Sequence, residues 1–268
     1  MKYVLALMLF TSSLFALPMQ NPAAASLYSN SLCSGFCDWF NVRVGFYGDY
    51  VFNRHLEVKP SEGRGDIQDF SLSTNAGMLV LNFFDWIDLF GTVGVTNLHL
   101  RGDSRLFVVN NAAVDAEVNY TPSMSYSGGG RITLWHCDCF YVGVQGQYFY
   151  TRSDMNYYAQ TDDGFMTYFS ADDQDDYKEW EAGIGAAYTF STNGGLSFVP
   201  YTGINFSGVN FYRSRNLNEG LSFREMQAKK LVGWNLGITA LLCDLAGVTV
   251  EGRWANEKAF FVSGVLNF

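Results

Sequence analysis

The chain has 268 residues, 48% hydrophobic and 17% aromatic, with 17 Lys+Arg against 26 Asp+Glu for a formal net charge of −9. That balance excludes nucleic acid as a partner, because phosphate binding is driven by clustered Lys and Arg. Beyond the first residues, no stretch approaches the roughly 18 consecutive apolar residues of a membrane helix, so the 23 Phe, 16 Tyr and 6 Trp must be dispersed in another pattern.

The start reads as an export signal over residues 1–16. Met1-Lys2 supplies the positive end, residues 4–15 an apolar stretch interrupted by Thr11, Ser12 and Ser13, and Ala16 a small residue before Leu17-Pro18. Residues 17–40 show no sustained period and contain Pro18, Pro22, Cys33 and Cys37, which predicts an irregular N-terminal segment. Then alternation begins. Val42, Val44, Phe46, Gly48, Tyr50 and Phe52 share one face, and Arg43, Gly45, Tyr47 and Asp49 the other. The same period marks nine further segments: 69–83, 87–100, 124–135, 140–151, 179–190, 196–211, 230–242, 248–255 and 259–268. Most reach the roughly 9 to 11 residues of a tilted transmembrane strand.

The links between these segments alternate in length. Long polar links cover 53–68, 101–123, 152–178 and 212–229, whereas tight links fall near Asp85, at 136–139, at 191–195 and at 243–247. Long outer loops with short periplasmic turns are the habit of bacterial outer-membrane barrels. The predicted fold is therefore an all-β antiparallel transmembrane barrel over residues 41–268. It has ten strands, or twelve if residues 17–40 or the second long link hide another pair. Both termini then fall on the periplasmic side. The last segment ends in Phe268, with Leu266, Gly264, Val262 and Phe260 on the same face.

With apolar side chains outward, the residues facing the lumen include Arg43, Asp49, Asp69, Asp88, Arg131, Gln145, Gln147, Glu179, Glu181, Asn205, Asn235, Glu251 and Arg253. They either line a conduction path and bias its ion selectivity, or pair across a closed lumen and hold the wall together. The five cysteines, Cys33, Cys37, Cys137, Cys139 and Cys243, lie in the N-terminal segment or in short turns. Five is odd, so in an exported protein at least one is left for an intermolecular bond, a free thiol or a ligand.

No cofactor or metal site is expected. His136-Cys137-Asp138-Cys139 matches no standard zinc spacing, and Asp172-Asp173-Gln174-Asp175-Asp176 lacks the Gly and terminal Glu of a calcium loop. The latter reads as a solvated acidic loop. His99 and Asp103, His55, and Asp162-Asp163 are the residues a hydrolytic site would need at the outer mouth. Nothing in the sequence brings them together, and the expectation is that the chain is not an enzyme.

The stretches LPMQNPAAASL, VGFYGDYVF, YKEWEAGIGAAYTF, FVPYTGINFSG and the closing VTVEGRWANEKAFFVSGVLNF resemble, in that order, segments of chlamydial major outer membrane porins and their porin B relatives. The resemblance implies a surface-exposed, cysteine-containing porin of the outer membrane that passes small solutes. It also implies self-association or disulfide links to other envelope proteins as partnerships, beside the surrounding lipid. The chain is clearly shorter than the usual members. Ten strands make a narrow barrel whose interior side chains can fill, so a closed barrel acting as an adhesin or structural component stands as the alternative to an open pore.

Overall fold

The computed structural model describes residues 20–28, 39–60, 67–103, 115–162, 165–170, 173–192, 194–215 and 225–268. Among them the regular elements are one 3-10 turn, Ala24–Ser26, and fifteen strands. Ten strands build the wall: β1 (Phe40–Arg54), β3 (Ile67–Phe83), β4 (Ile87–Asp103), β6 (Ser123–Cys137), β7 (Phe140–Asp162), β9 (Gln174–Tyr188), β11 (Leu196–Arg215), β13 (Val232–Leu242), β14 (Ala246–Trp254) and β15 (Glu257–Asn267). Each pairs antiparallel with the next. The pairing of β1 with β15, from Arg43 opposite Asn267 to Arg54 opposite Glu257, closes the ring. Closure leaves no edge, which allows a sheet to sit in lipid with every backbone group satisfied.

The short links are hairpin turns. Phe84 and Asp85 have φ of 58° and 57°, Cys243 and Asp244 have φ of 52° and 51°. Trp86 N–H donates to Phe83 O at 3.1 Å and Leu245 N–H to Leu242 O at 3.0 Å. Positive φ at both central residues matches the twist of the flanking strands.

The wall is not of even height. β13, β14 and β15 have 11, 9 and 11 residues, whereas β7 has 23 and β11 has 20. On the tall side the wall is extended by β5 (Asp115–Tyr120), which pairs with β4 and β7 above β6, and by β8 (Phe165–Ser170) against β7. Over the low side, β2 (Leu56–Val58) pairs with β12 (Met226–Ala228), itself paired to β11. The small strand β10 (Phe190–Ser191) pairs with β11 at the opposite end.

The strands on the tall side run further than the alternation of apolar-out and polar-in predicts, and the reason is that this polarity reverses partway up. On the lower wall, Val93 and Val95 are exposed while Thr92 and Thr96 are buried. Higher on the same strand, Leu98 and Leu100 are fully buried and Arg101 is exposed. Likewise Phe70 and Leu72 face inward on β3 while Ser71 and Ser73 face out. Above the lipid a barrel obeys the rule of a soluble sheet, with apolar side chains inside.

The inward apolar side chains of the upper wall form one cluster that includes Leu98, Leu100, Phe149, Tyr177, Phe211 and Met226. Phe70 and Tyr177 stack with ring centroids 5.4 Å apart, and Phe211 meets both edge-on at 6.1 and 5.9 Å. Truncating such a residue costs its transfer free energy plus the cavity it leaves. Phe211→Ala is expected to lower stability by about 3–5 kcal/mol, whereas Ile204→Ala on the exposed wall costs far less. Urea titration of the folded barrel in detergent, followed by Trp fluorescence, checks the difference.

Candidate functional site: the filled lumen

From the short-turn end upward, the lumen is occupied first by the chain's own N-terminal segment. Residues 20–28 lie inside the ring rather than beneath it, and Ala23, Ala25, Leu27 and Tyr28 are buried there. The segment is shaped locally by Asn21, whose Oδ1 accepts from Ala23 N–H at 2.9 Å. Its carbonyls, left without sheet partners, are taken up by the wall. Arg43 donates to Ala24 O at 3.0 Å and to Ala25 O at 3.3 Å, Asn82 donates to Ala25 O at 2.9 Å, and Arg131 donates to Gln20 Oε1 at 3.2 Å. Asn21 Nδ2 donates to Thr239 Oγ1 at 3.0 Å on the far wall.

Two glycines make the space. A Cβ at Gly143 would stand 2.4 Å from Pro22 O, and one at Gly247 would stand 2.2 Å from the Tyr28 hydroxyl. A cavity of about 20 Å³ remains between Gln20, Tyr28, Arg43, Met78 and Arg131, a volume that fits one water.

Asp88 is the hub of this level. It is fully buried and accepts from Arg43 at 3.2 Å, from Arg131 at 2.8 Å and from Asn82 at 2.7 Å. Arg43 also lies over the Tyr28 ring, 4.6 Å from its centroid. The two guanidiniums thus each bind a wall carboxylate and the inserted segment together.

The middle level carries Asp49, Glu179, Glu181, Glu251 and Glu257 with Arg54 and Arg253, all buried. Arg253 pairs with Asp49 at 2.5 Å and with Glu257 at 2.6 Å. Arg54 pairs with Glu257 at 2.8 Å and with Glu179, and its other nitrogen donates to Ser207 Oγ at 2.9 Å. Tyr177 donates to Glu179 at 2.6 Å, while Tyr201 and Asn235 each donate to Glu251 at 2.9 Å. Five carboxylates against two guanidiniums leave this belt with an acidic excess. Gln145 and Gln147 are buried on the β7 side, Gln147 donating to Ser127 Oγ at 3.0 Å.

Twelve of the thirteen wall residues named from the alternation as lumen-facing polar sites are therefore buried within the ring. The exception is Asp69. It is half-buried and shares its face with Ser71 and Ser73, opposite Phe70 and Leu72, so it belongs to the outer side of the tall wall. Two charged residues of the middle level, Arg54 and Glu257, were not named. The alternation is read to Phe52 and Arg54 falls in the first long link, but β1 continues to Arg54 and its register with β15 slips between Val51 and Asn53, a bulge that turns the later side chains over and brings Arg54 inward. Its partner Glu257 lies in what reads as a very short outer link and is the first residue of β15. Alternation continued past Phe52 would put the charged Arg54 on the lipid face, and that mismatch is the signal that could have revealed the slip.

The acidic run over 172–176 is not a solvated loop in its described part. Asp173, Asp175 and Asp176 are buried, with Tyr120 donating to Asp175 at 2.7 Å and Arg152 to Asp176 at 2.7 Å. Asp172 and Asp163 lie outside the described residues. His99 meets Glu117 of β5 at 3.0 Å on the tall rim, and the hydrogen bond from His99, with the nearby Tyr157 hydroxyl, holds the Glu117 carboxyl below its usual range.

The profile of the family described as Chlamydia major outer membrane protein matches residues 1–62 and 59–159. The chain belongs to that family. The Major outer membrane porin, serovar D, of Chlamydia trachomatis is 25% identical over 392 aligned positions, covering 99% of this chain and 98% of the relative. The Major outer membrane porin of Chlamydia pneumoniae is 26% identical over 375 positions, covering 96% and 95%. Both alignments are longer than this chain's 268 residues, so each relative carries stretches with no counterpart here. Among solved structures, the β domain of the Bordetella autotransporter BrkA aligns with a TM-score of 0.43 at 11% identity, covering 86% of this chain and 100% of that one.

This member of the major outer membrane protein family is a β-barrel of the bacterial outer membrane. Its short turns carry Cys137, Cys139 and Cys243, all exposed, while Cys33 and Cys37 lie outside the described residues. Removing one partner of a buried charge pair leaves the others uncompensated, at a cost of about 3–5 kcal/mol. Asp88→Asn is expected to destabilise by that order and to loosen residues 20–28. Limited proteolysis of the folded barrel should then clip the N-terminal segment faster than in the wild type.

Proposed function

We propose that this chain passes small solutes or ions across the outer membrane as a porin-type barrel, with residues 20–28 acting as its inner gate, and that it also contributes to envelope integrity. The observation that carries the reading is the nature of the inner closure. Residues 20–28 are held by side-chain contacts from Arg43, Asn82 and Arg131 and by a small apolar cluster with Val199, Tyr201 and Leu241. They are not a strand of the ring, so they can leave without breaking it. Relatives across the full length are named major outer membrane porins, which agrees with this role.

The acidic excess of the middle belt favours cations over anions along such a route. Exposed Cys137, Cys139 and Cys243 suit disulfide links to neighbouring envelope proteins in an oxidising compartment.

A second reading, a permanently closed barrel serving as a structural or adhesive component, is favoured by the upper apolar cluster, which fills the lumen from the wall itself. Planar-bilayer recording separates the two. Discrete conductance steps in the wild type, larger or more frequent after deletion of residues 20–28 and with cation preference reduced by Glu181→Gln, support the porin. Silence of both proteins at high load, with both folded by heat-modifiable gel mobility, assigns the closed barrel.

A further inference from the structure

The described residues contain five lysines, Lys59, Lys178, Lys229, Lys230 and Lys258, and three of them meet at one point on the outer rim. The backbone brings them there. β13, β14 and β15 are the short strands of the wall, so the rim dips, and the β2–β12 pair lies across the dip. His55 N–H donates to Asn256 O at 3.3 Å and Lys229 N–H donates to His55 O at 2.9 Å. Lys258, in register with Asn53 on β1, stands just beyond the same turn.

Lys229, Lys230 and Lys258 are all exposed. The other two lysines are engaged: Lys59 with Glu225 at 2.6 Å, and Lys178 over the Tyr212 ring, 4.8 Å from its centroid. The three at the dip make no salt bridge among the described residues. Glu57 on the covering strand is taken by Gln227 at 2.9 Å. Burial, together with the ammonium groups of Lys230, Lys229 and Lys258, lowers the His55 imidazole below its usual range. The positive charge of the patch therefore comes from the lysines alone.

Directly below lies the outward wall. Leu231 and Val232 are 52% and 51% exposed. Trp234 and Trp254, opposite each other in register, stack with centroids 4.7 Å apart. Phe52 and Phe260 continue this apolar surface.

We propose that this patch binds the phosphorylated head group of an outer-leaflet glycolipid, with Lys229, Lys230 and Lys258 on the phosphates and Trp234, Trp254 and Leu231 against its sugar and acyl chains. Two properties select a lipid over a soluble polyanion. The cationic groups border a lipid-facing apolar wall at the height where aromatic belts meet head groups, and the chain as a whole carries a net charge of −9, which repels polyanions everywhere else. A cluster of basic residues near a membrane surface attracts anionic head groups by about 1 kcal/mol for each residue.

The test uses the full chain refolded in detergent, with native mass spectrometry counting retained bisphosphorylated lipid A or its dephosphorylated form. The phosphorylated lipid is expected to be retained at least tenfold better by the wild type. Each single Lys→Gln substitution at 229, 230 or 258 should weaken retention about fivefold, with Lys178→Gln unchanged. Equal retention of the dephosphorylated lipid by the wild type overturns the proposal without any variant. Undiminished retention by a folded Lys229→Gln/Lys230→Gln/Lys258→Gln protein overturns it too, as does displacement of the lipid by a soluble heparin oligosaccharide.

Discussion

Arg54 on β1 reaches Glu179 on β9, and in the ring these two strands stand opposite each other, with four wall strands between them on either side. Two side chains therefore span the bore. A ten-strand barrel has this property because its diameter grows with strand number, and near eight strands side chains fill the interior. Once the bore is that narrow, its charges cannot keep bulk water and must compensate one another. The pairs Arg253 with Asp49 and Arg54 with Glu257 do so between neighbouring strands, and Arg54 with Glu179 braces the ring across its diameter. Replacing buried pairs by apolar groups is often neutral for stability, whereas losing one partner is costly. The network thus fixes register and closure more than it adds net stability.

The inserted segment follows from the same constraint. Arg43 and Arg131 both bind Asp88, one carboxylate between two guanidiniums, so the lower lumen would hold an excess of buried donors. Residues 20–28 present backbone carbonyls to those donors. An irregular strand of chain is suited to this task, since its carbonyls have no other partner. The plug and the charged wall satisfy each other, and neither is well satisfied alone.

Legibility in the sequence tracks how periodic the environment is. Within the lipid the outer medium is uniform, so Val42 to Phe52 alternate cleanly, and the wall strands could be read almost to the residue at their lower ends. Three features escaped for three reasons. The tall extensions of β7 and β9 invert polarity above the lipid, so Met155 inward and Arg152 outward break the expected pattern although the strand continues. Arg54 was hidden by a bulge, which leaves no mark in composition. Residues 20–28 have no period because their partners are lumen side chains contributed by β1, β3, β6 and β13, and no local pattern encodes such contacts. The opposite case is Asp88, legible from its strand position alone, whose role as hub depends on two arginines 45 and 43 residues away in sequence.

The length of the chain then bears on how the family's activity is expressed here. A relative aligned over 392 positions has much more chain to distribute between wall and loops than the 268 residues of this member. In this ring, at every level from Asp88 through Glu251 to Phe211, the interior is occupied by side chains that are themselves fully buried. Passage through such a barrel cannot use a standing hole; it requires residues to be displaced. Residues 20–28 are held by hydrogen bonds and one small apolar cluster and belong to no wall strand, while the upper cluster is anchored in the wall strands and moves only with them. On the proposed route the inner end is therefore the cheaper end to open, and the larger obstacle is the outer cluster of Leu98, Phe149 and Phe211.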